Sequence, residues 1–492
     1  MSASKLPPGG SWIPFLGDSL SLTKNPIGYL TSKRIEHGPI FRAKLLGYDV
    51  AIIAGLPEFL EVMHHEHDQQ EGSYRKKRAS KTAKSSPPLS CEHSLMNLVR
   101  DMYGPGPLLC DGRQSIKLRE AMLGCIPNEL TYSGLLASSL KQSLATTIGE
   151  SMAFYQFIKR WCTESLLTLL FGVDHGLSPD FLSHTVTQFR AAISMPLRIP
   201  GFAYHSGFQA RGVVAGELQT LIQRALHRVR TRLGMDAHSA SSPDFGPGLG
   251  SNLSISSFSA SSAHVQSEMS TEPDFFVPAI DTLLEKHLLG PAESRLSISE
   301  IELCLMWLSS NIVHKTTAST ITSFVMYVES KQPQSAEIMS KLRGEILSPD
   351  DLHPYLEACI KEVERLWPAV TMGCRGVTSP ILIAGYTIPA GWQLAWSAYV
   401  MNRDPRVFEN PDTFIPDRWR LSGTSINHIT YGHPLRKCPG SSIAHNLCKI
   451  AVTELVRSFN WEFTPGQDLS FKSFPVLKPR DDCKIVLSVW SK

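Results

Sequence analysis

The chain has 492 residues, 42% hydrophobic and 19% charged, enough apolar material for a sizeable core and too much for a globally disordered protein. Lys plus Arg total 48 against 45 for Asp plus Glu, a formal charge of +3, so there is no global nucleic-acid footprint and no nucleic-acid partner is expected. Ten cysteines without a Cys-x-x-Cys pair fit neither a disulfide scaffold nor a zinc site, and are expected to be reduced and mostly buried.

Met1 leads through Ser-Ala-Ser-Lys into Leu6-Pro7-Pro8-Gly9-Gly10, without the apolar run of a signal peptide or anchor. No later stretch reaches the roughly 18 apolar residues of a membrane span. The expectation is a soluble chain, or one held at a membrane surface. Residues 6–17 are too rich in Pro and Gly for a helix, and 1–20 form a stiff leading segment. Phe41–Ala43 and Val50–Ala54, across Gly47-Tyr48-Asp49, predict a β-hairpin. Residues 73–90, basic and Ser-rich, and 238–270, rich in Ser and Gly, predict exposed low-complexity loops.

Ser297-Ile-Ser-Glu300 has capping-box spacing and opens a long, apolar helix over 297–328, which has to lie inside the domain. A second helix runs from Tyr355 to Trp367 and stops at Pro368. Short strands follow at Ile381–Ile383 and Gln393–Ser397. After Cys438-Pro439-Gly440, the positions Ile443, Leu447, Ile450, Ala451, Leu455 and Phe459 recur at helical spacing. The fold is therefore expected to be mainly α with small β-sheets, in a single large domain over 21–492.

Two constellations carry chemistry. Cys438 stands just before a helix N-terminus, with Arg436 and Lys437 beside it; dipole and charge together lower a thiol pKa. A thiolate so held suits a soft axial ligand to iron, although a lone cysteine is more often a buried structural one. Glu362 and Arg365 stand three apart on one helix face and can pair, a weak signal alone because such pairs are common on solvated helices. Pro416-Asp-Arg418-Trp419 offers a second arginine some fifty residues later.

In this order and spacing the features resemble the cytochrome P-450 family, the cysteine-thiolate haem enzymes. Leu6-Pro-Pro-Gly9, the turn Gly385–Gly391 and Asn402-Arg-Asp-Pro405 match as well, so the resemblance covers nearly the whole chain. It implies the cytochrome P-450 fold, haem b as cofactor and Cys438 as proximal thiolate ligand of the iron. It implies a buried triad of Glu362, Arg365 and Arg418, and propionate contacts from Arg436, Arg375 and Arg119. It also implies a small hydrophobic substrate and electrons from NADPH through a flavoprotein reductase. That reductase would dock on a basic face of Lys437, Lys449 and Arg436.

The chain departs from the family pattern at several places. Tyr431 replaces Phe in the cysteine loop, adding a hydroxyl that needs a partner, and Pro434 replaces Gly. Ser115 stands where Trp or His is usual. On the central helix Thr316 is present, but Lys315 occupies the acid's position in the proton relay, with His314 as a further titratable neighbour. The leading reading is a monooxygenase. The alternatives are a reductase-independent isomerase or dehydratase of a peroxide-type substrate, a decayed haem binder, and a helical binding protein without haem. The segment 195–204 is a candidate for peripheral membrane contact, and the expected place is intracellular, at the endoplasmic reticulum surface or in the cytoplasm.

Overall fold

The computed structural model describes residues 5–10, 17–63, 88–95, 97–194, 196–235, 276–329, 334–349, 352–420, 428–433 and 436–491. Helices dominate. Near the start α1 (Ser19–Lys24) and α2 (Pro26–His37) pack beside the hairpin of β1 (Ile40–Leu45) and β2 (Tyr48–Ile53), and α3 spans residues 56–63. The hairpin pairs Ile40 with Ile53 through to Leu45 with Tyr48, so its turn is Leu46-Gly47, both at positive φ. The sequence suggests Gly47-Tyr48-Asp49 instead, but Tyr48 and Asp49 belong to the strand and Leu46 to the turn.

The hairpin joins β8 (Gln393–Ser397), β5 (Met372–Val377) and β3 (Leu89–Ser90) in a five-stranded sheet of order β1-β2-β8-β5-β3. The predicted loop at 73–90 is thereby corrected at its end: Leu89 and Ser90 are a buried edge strand paired with Val377 and Gly376. Its remainder to 87, the 238–270 loop, Met195 and Pro434 lie outside the described residues. Strands β6 (Ile381–Ile383) and β7 (Tyr386–Ile388) form a separate hairpin.

Between these elements run α4 (Asn97–Tyr103), α5 (Gly112–Leu123), α6 (Glu129–Ala145), α7 (Phe154–Phe171), α8 (Phe181–Ala192), α9 (Ala203–Arg232) and α10 (Ala279–Leu289). The central helix starts on the predicted capping box: Ser297 Oγ accepts from Glu300 N, and Glu300 Oε2 accepts from Ser297 N. It is not continuous, however. It runs as α11 (Ile298–Leu308), breaks at Ser309-Ser310 and resumes as α12 (Asn311–Glu329). The Ser309 hydroxyl donates back to Leu305 O and Val313 N turns to Ser310 O, so side-chain and cap bonds replace the regular ladder. Apolar periodicity runs through such a break and cannot reveal it.

Beyond it come α13 (Ser335–Ile346), α14 (Pro354–Leu366), a short α15 (Ala398–Met401) and α16 (Ser441–Ser458). Phe459, read as the last helical position, instead opens β9 (Phe459–Phe463) of a three-stranded sheet with β12 (Lys484–Val489) and β4 (Ser151–Ala153). Strand β10 (Phe471–Lys472) pairs with β11 (Lys478–Pro479), and β11 lies against α12. One large apolar cluster joins α5 to α14 and α16, including Leu166, Phe324, Ile360 and Leu447. No helix among the described residues is long and apolar enough to cross a membrane.

Candidate active site

On α14, Glu362 and Arg365 are fully buried and paired through two bonds, Nε to Oε2 at 2.9 Å and Nη2 to Oε1 at 2.7 Å. Arg418 Nε reaches Glu362 Oε1 at 3.1 Å, Trp419 Nε1 reaches Oε2 at 2.8 Å, and Ile415 N reaches Oε1 at 2.9 Å. Five donors on one carboxylate satisfy a charge that burial would otherwise make costly. The helical spacing that suggests a solvated pair thus produces a core anchor. Arg365 continues to the carbonyls of Asn402, Pro411 and Thr413. Asn402 in turn accepts from Ile429 N and donates to Thr430 Oγ1. A continuous polar chain therefore leads from α14 to the segment before Cys438.

Cys438 N donates to Tyr431 O at 2.8 Å, which closes the loop, and Ser441 N donates to Cys438 O as α16 begins. Eight of the ten cysteines are buried and Cys374 is half-buried; Cys438 alone is exposed. Protein nevertheless surrounds the Cys438 thiol densely. Burial pushes its thiol pKa up, while the Gly440 N–H, Arg119 and Lys437 pull it down. This corrects the expected lowering. Desolvation outweighs the nearby cations in the protein alone, and Arg119 takes the part assigned to Arg436.

Arg436 is spent on the protein: Nη1 donates to Cys110 O at 2.9 Å and Ser115 Oγ at 2.6 Å, and Nη2 to Asp111 Oδ1 at 2.9 Å. Arg119, buried on α5, donates to Lys437 O through Nη2, and its Nη1 has no partner. Arg375 on β5 donates to Cys374 O, stacks 5.1 Å from the Trp396 ring, and leaves a buried Nε without a partner. Arg375 and Arg436 line one cleft with Phe59, Met63, Trp396, Gly432 and His433. Of the expected basic docking face, Lys437 is exposed and Arg436 is engaged within the protein. Besides Arg436, Lys449 is tied to Glu129 and Glu357, each at 3.2 Å.

On α12, Thr316 Oγ1 donates to Val313 O at 2.8 Å. Lys315 Nζ lies 4.5 Å from the Phe189 ring centroid. Burial, then Lys159, Arg190 and Lys478, push its pKa down to about 8. His314 is buried, and burial with Lys315 and Lys159 pushes it down to about 3. It is therefore neutral at physiological pH and does not titrate where the sequence places it.

Comparison with known proteins bears on this arrangement. The family model described as Cytochrome P450 matches residues 266–486. Protopanaxadiol 6-hydroxylase of Panax ginseng is 24% identical over 96% of this chain and 91% of its own length. Cytochrome P450 26A1 of Gallus gallus is 23% identical over 97% and 89%. The solved structure of retinoic acid bound cyanobacterial CYP120A1 superposes with a TM-score of 0.74 at 21% identity, covering 99% of this chain and all of that one.

The chain belongs to the cytochrome P450 family. It is an oxidoreductase of the monooxygenase type, and the cofactor of such a P450 is haem b, iron protoporphyrin IX. The residues present fit that group. Cys438 is the exposed cysteine, and the buried Arg119 Nη1 and Arg375 Nε lack acceptors of the kind that a propionate would supply.

Four residues that sequence reasoning did not bring together surround the cysteine loop. Asp111 fixes Arg436 and accepts from Ser90 Oγ, Cys91 N and Glu92 N. Glu364 receives the Tyr431 hydroxyl at 2.7 Å, and His428 and His445 flank the same carboxylate. The Tyr431 hydroxyl signalled a missing partner; nothing in the spacing says which one.

Proposed function

We propose that the chain is a haem-thiolate monooxygenase that inserts one oxygen atom into a hydrophobic, lipid- or terpenoid-like substrate. The observation that carries this is Cys438: the one exposed cysteine, enclosed by protein, at the start of α16 and anchored by its amide to Tyr431 O. Relatives named as hydroxylases of protopanaxadiol, taxane and abscisic acid support an alicyclic, largely apolar substrate class. Electrons come from NADPH through a flavoprotein reductase, at the endoplasmic reticulum surface or in the cytoplasm.

In this reading Cys438 is the axial ligand, and Arg119, Arg375 and Arg436 hold the propionates. Arg436 shares its charge with Asp111 and so contributes least. Glu362, Arg365 and Arg418 fix the loop. Bound haem supplies the redox chemistry: with dioxygen, two electrons and two protons, one oxygen enters the substrate and the other leaves as water. Thr316 spends its hydroxyl proton on Val313 O, which leaves its lone pairs to order a donor in the pocket. Lys315, with its lowered pKa, is poised to give and regain a proton at Nζ near neutral pH.

The carbon monoxide difference spectrum of the reduced protein tests the ligand. A strongly red-shifted Soret band is expected, and a Cys438→Ser protein that keeps it would overturn the assignment. Thr316→Ala is expected to uncouple NADPH oxidation from product; tight coupling in that variant counts against its role.

One observation favours a second reading. Lys315 stands at the acid's position with Lys159, Arg190 and Lys478 as its charged neighbours, so the relay is not of the usual kind. An isomerase or dehydratase of a peroxide takes oxygen from its substrate and needs no relay. Turnover of a lipid hydroperoxide without NADPH would establish that chemistry instead.

A further inference from the structure

The loop that carries Cys438 is joined to a buried ionic network that the family resemblance does not assign. Tyr431 contributes at both ends: its carbonyl receives the Cys438 amide, and its hydroxyl donates to Glu364 Oε1. Glu364 on α14 is almost wholly buried, with its side chain 2% exposed. Its Oε2 meets His428 Nε2 at 3.2 Å, and its Oε1 meets His445 Nδ1 at 3.2 Å. His428 Nδ1 is buried without a partner, which suits a ring whose proton sits on Nε2 and faces the carboxylate. His445 is on the first turns of α16, and its other nitrogen meets Glu357 Oε2 at 2.6 Å. Lys449 and Glu129 then complete the path outward.

These charges are arranged in alternation from the loop to the surface: Glu364, His445, Glu357, Lys449, Glu129. The backbone is bound in as well, since Thr430 Oγ1 donates to Glu364 O at 2.7 Å. A buried carboxylate costs free energy unless it is compensated, and here two histidines and a phenol compensate it. A plain structural anchor needs no charge at all, because a phenylalanine at 431 would pack without one. The geometry therefore combines a mechanical tie with a pair of full charges in a water-poor region, where charge acts over longer distances.

We propose that Glu364 and His445 are positioning residues that tune the electrostatic potential at the Cys438 sulfur, with Tyr431 as the link that holds the loop to them. The proposal rests on the reading of Cys438 as the haem ligand. Glu364 supplies negative charge behind the loop, which disfavours adding an electron to the haem. His445, held as a cation between two carboxylates, favours it. His445 is raised to about 9 and Glu364 is held to about 2, so both charges are present at neutral pH.

The test is reductive titration of the purified holoenzyme with dithionite, alongside the carbon monoxide spectrum. Glu364→Gln keeps an acceptor for Tyr431 and removes the negative charge; its reduction potential is expected to rise. His445→Gln keeps a hydrogen-bonding group and removes the positive charge; its potential is expected to fall. Tyr431→Phe is expected to keep the thiolate band at first, then convert faster to the neutral-thiol form in mild urea. Glu357→Gln, at the partly exposed end, is expected to give a smaller rise, and it decides the sign if Glu364→Gln holds no haem. Shifts of opposite sign with the thiolate band intact support the proposal. Shifts of the same sign, or none, overturn it, because mere loosening of the loop moves both variants one way. A wild-type protein without the thiolate band overturns the reading of Cys438 itself, and this proposal with it.

Discussion

Arg436 and Asp111 form an ion pair at 2.9 Å across the join between the cysteine loop and the start of α5, with both side chains largely out of water. Asp111 stays ionised there: burial pushes its pKa up, but the Ser90 and Cys91 hydrogen bonds and Arg436 bring it below its ordinary value. Ser115, standing where the family carries a large ring, supplies a further acceptor to the same guanidinium.

Replacing Arg436 with Ala leaves Asp111 without its cation and Cys110 O without a donor. Truncating one partner of such a hydrogen-bonded pair costs about 2–5 kcal/mol. The urea midpoint of the apoprotein is expected to fall accordingly, whether or not haem is present. A midpoint within experimental error of the wild type would show that the pair contributes nothing to folding.

Glu362→Ala strands two arginines in the core. The expected loss is about 3–5 kcal/mol, and purified protein is expected to carry little haem. Glu362→Gln retains acceptors and is expected to lose less. Equal haem content in wild type and the Ala variant would contradict the anchor.

Between His445 and its two carboxylates, stability depends on pH in a defined window. His445 binds its proton more tightly folded, at about 9 against an ordinary 6.5. Burial lowers that value, and hydrogen bonds to Glu357 and Glu364 more than restore it. Its contribution is complete below about 6.5 and is lost as pH rises through 9. Glu357 and Glu364 are held near 2 against 4.5, so theirs is complete above 4.5 and lost as pH falls toward 2. Lys449, Glu129, His428 and Tyr431 face the same groups. The stability gap between wild type and His445→Gln is expected to be widest between pH 4.5 and 6.5 and to narrow through pH 9. A gap independent of pH would remove the charge from the account.

Lys315 runs the other way. Its folded pKa of about 8 lies below the ordinary 10.5, so the ammonium opposes folding wherever both states are protonated. That cost is full below pH 8 and is relieved as pH rises toward 10.5. Lys315→Met is expected to be more stable than wild type by roughly 1 kcal/mol at pH 7, after allowance for solvent screening. The advantage is expected to vanish in alkaline buffer. Destabilisation at pH 7 would mean that the contact with the Phe189 ring outweighs the cost of burial.

Much of this site is legible in the sequence because its chemistry is local. Cys438, Arg436 and the helix that follows stand within a few residues, and the capping box at Ser297 is complete in four. Glu362 and Arg365 are also visible as a pair, yet spacing alone cannot tell a core pair from a solvated one; the five donors on Glu362 arrive from residues up to 57 positions away. The network around Glu364 is harder still. It joins positions 364, 428, 431 and 445, which share no period and meet only because α14 and α16 pack together. The break at Ser309-Ser310 escapes for the opposite reason: the apolar pattern is undisturbed, and only the hydrogen bonds change.

That break divides the centre of the molecule into two neighbourhoods. Upstream, α11 packs chiefly on α4, α5, α9 and α10, whereas α12 packs on α7, α8, α13, α14 and α16. Ser319 on α12 is further bonded to Leu477 O beside β11. A shift of α11 along its own axis thus meets a break in the helix before it reaches Thr316. The two serines separate two sets of helix contacts, one made by α11 and the other by α12.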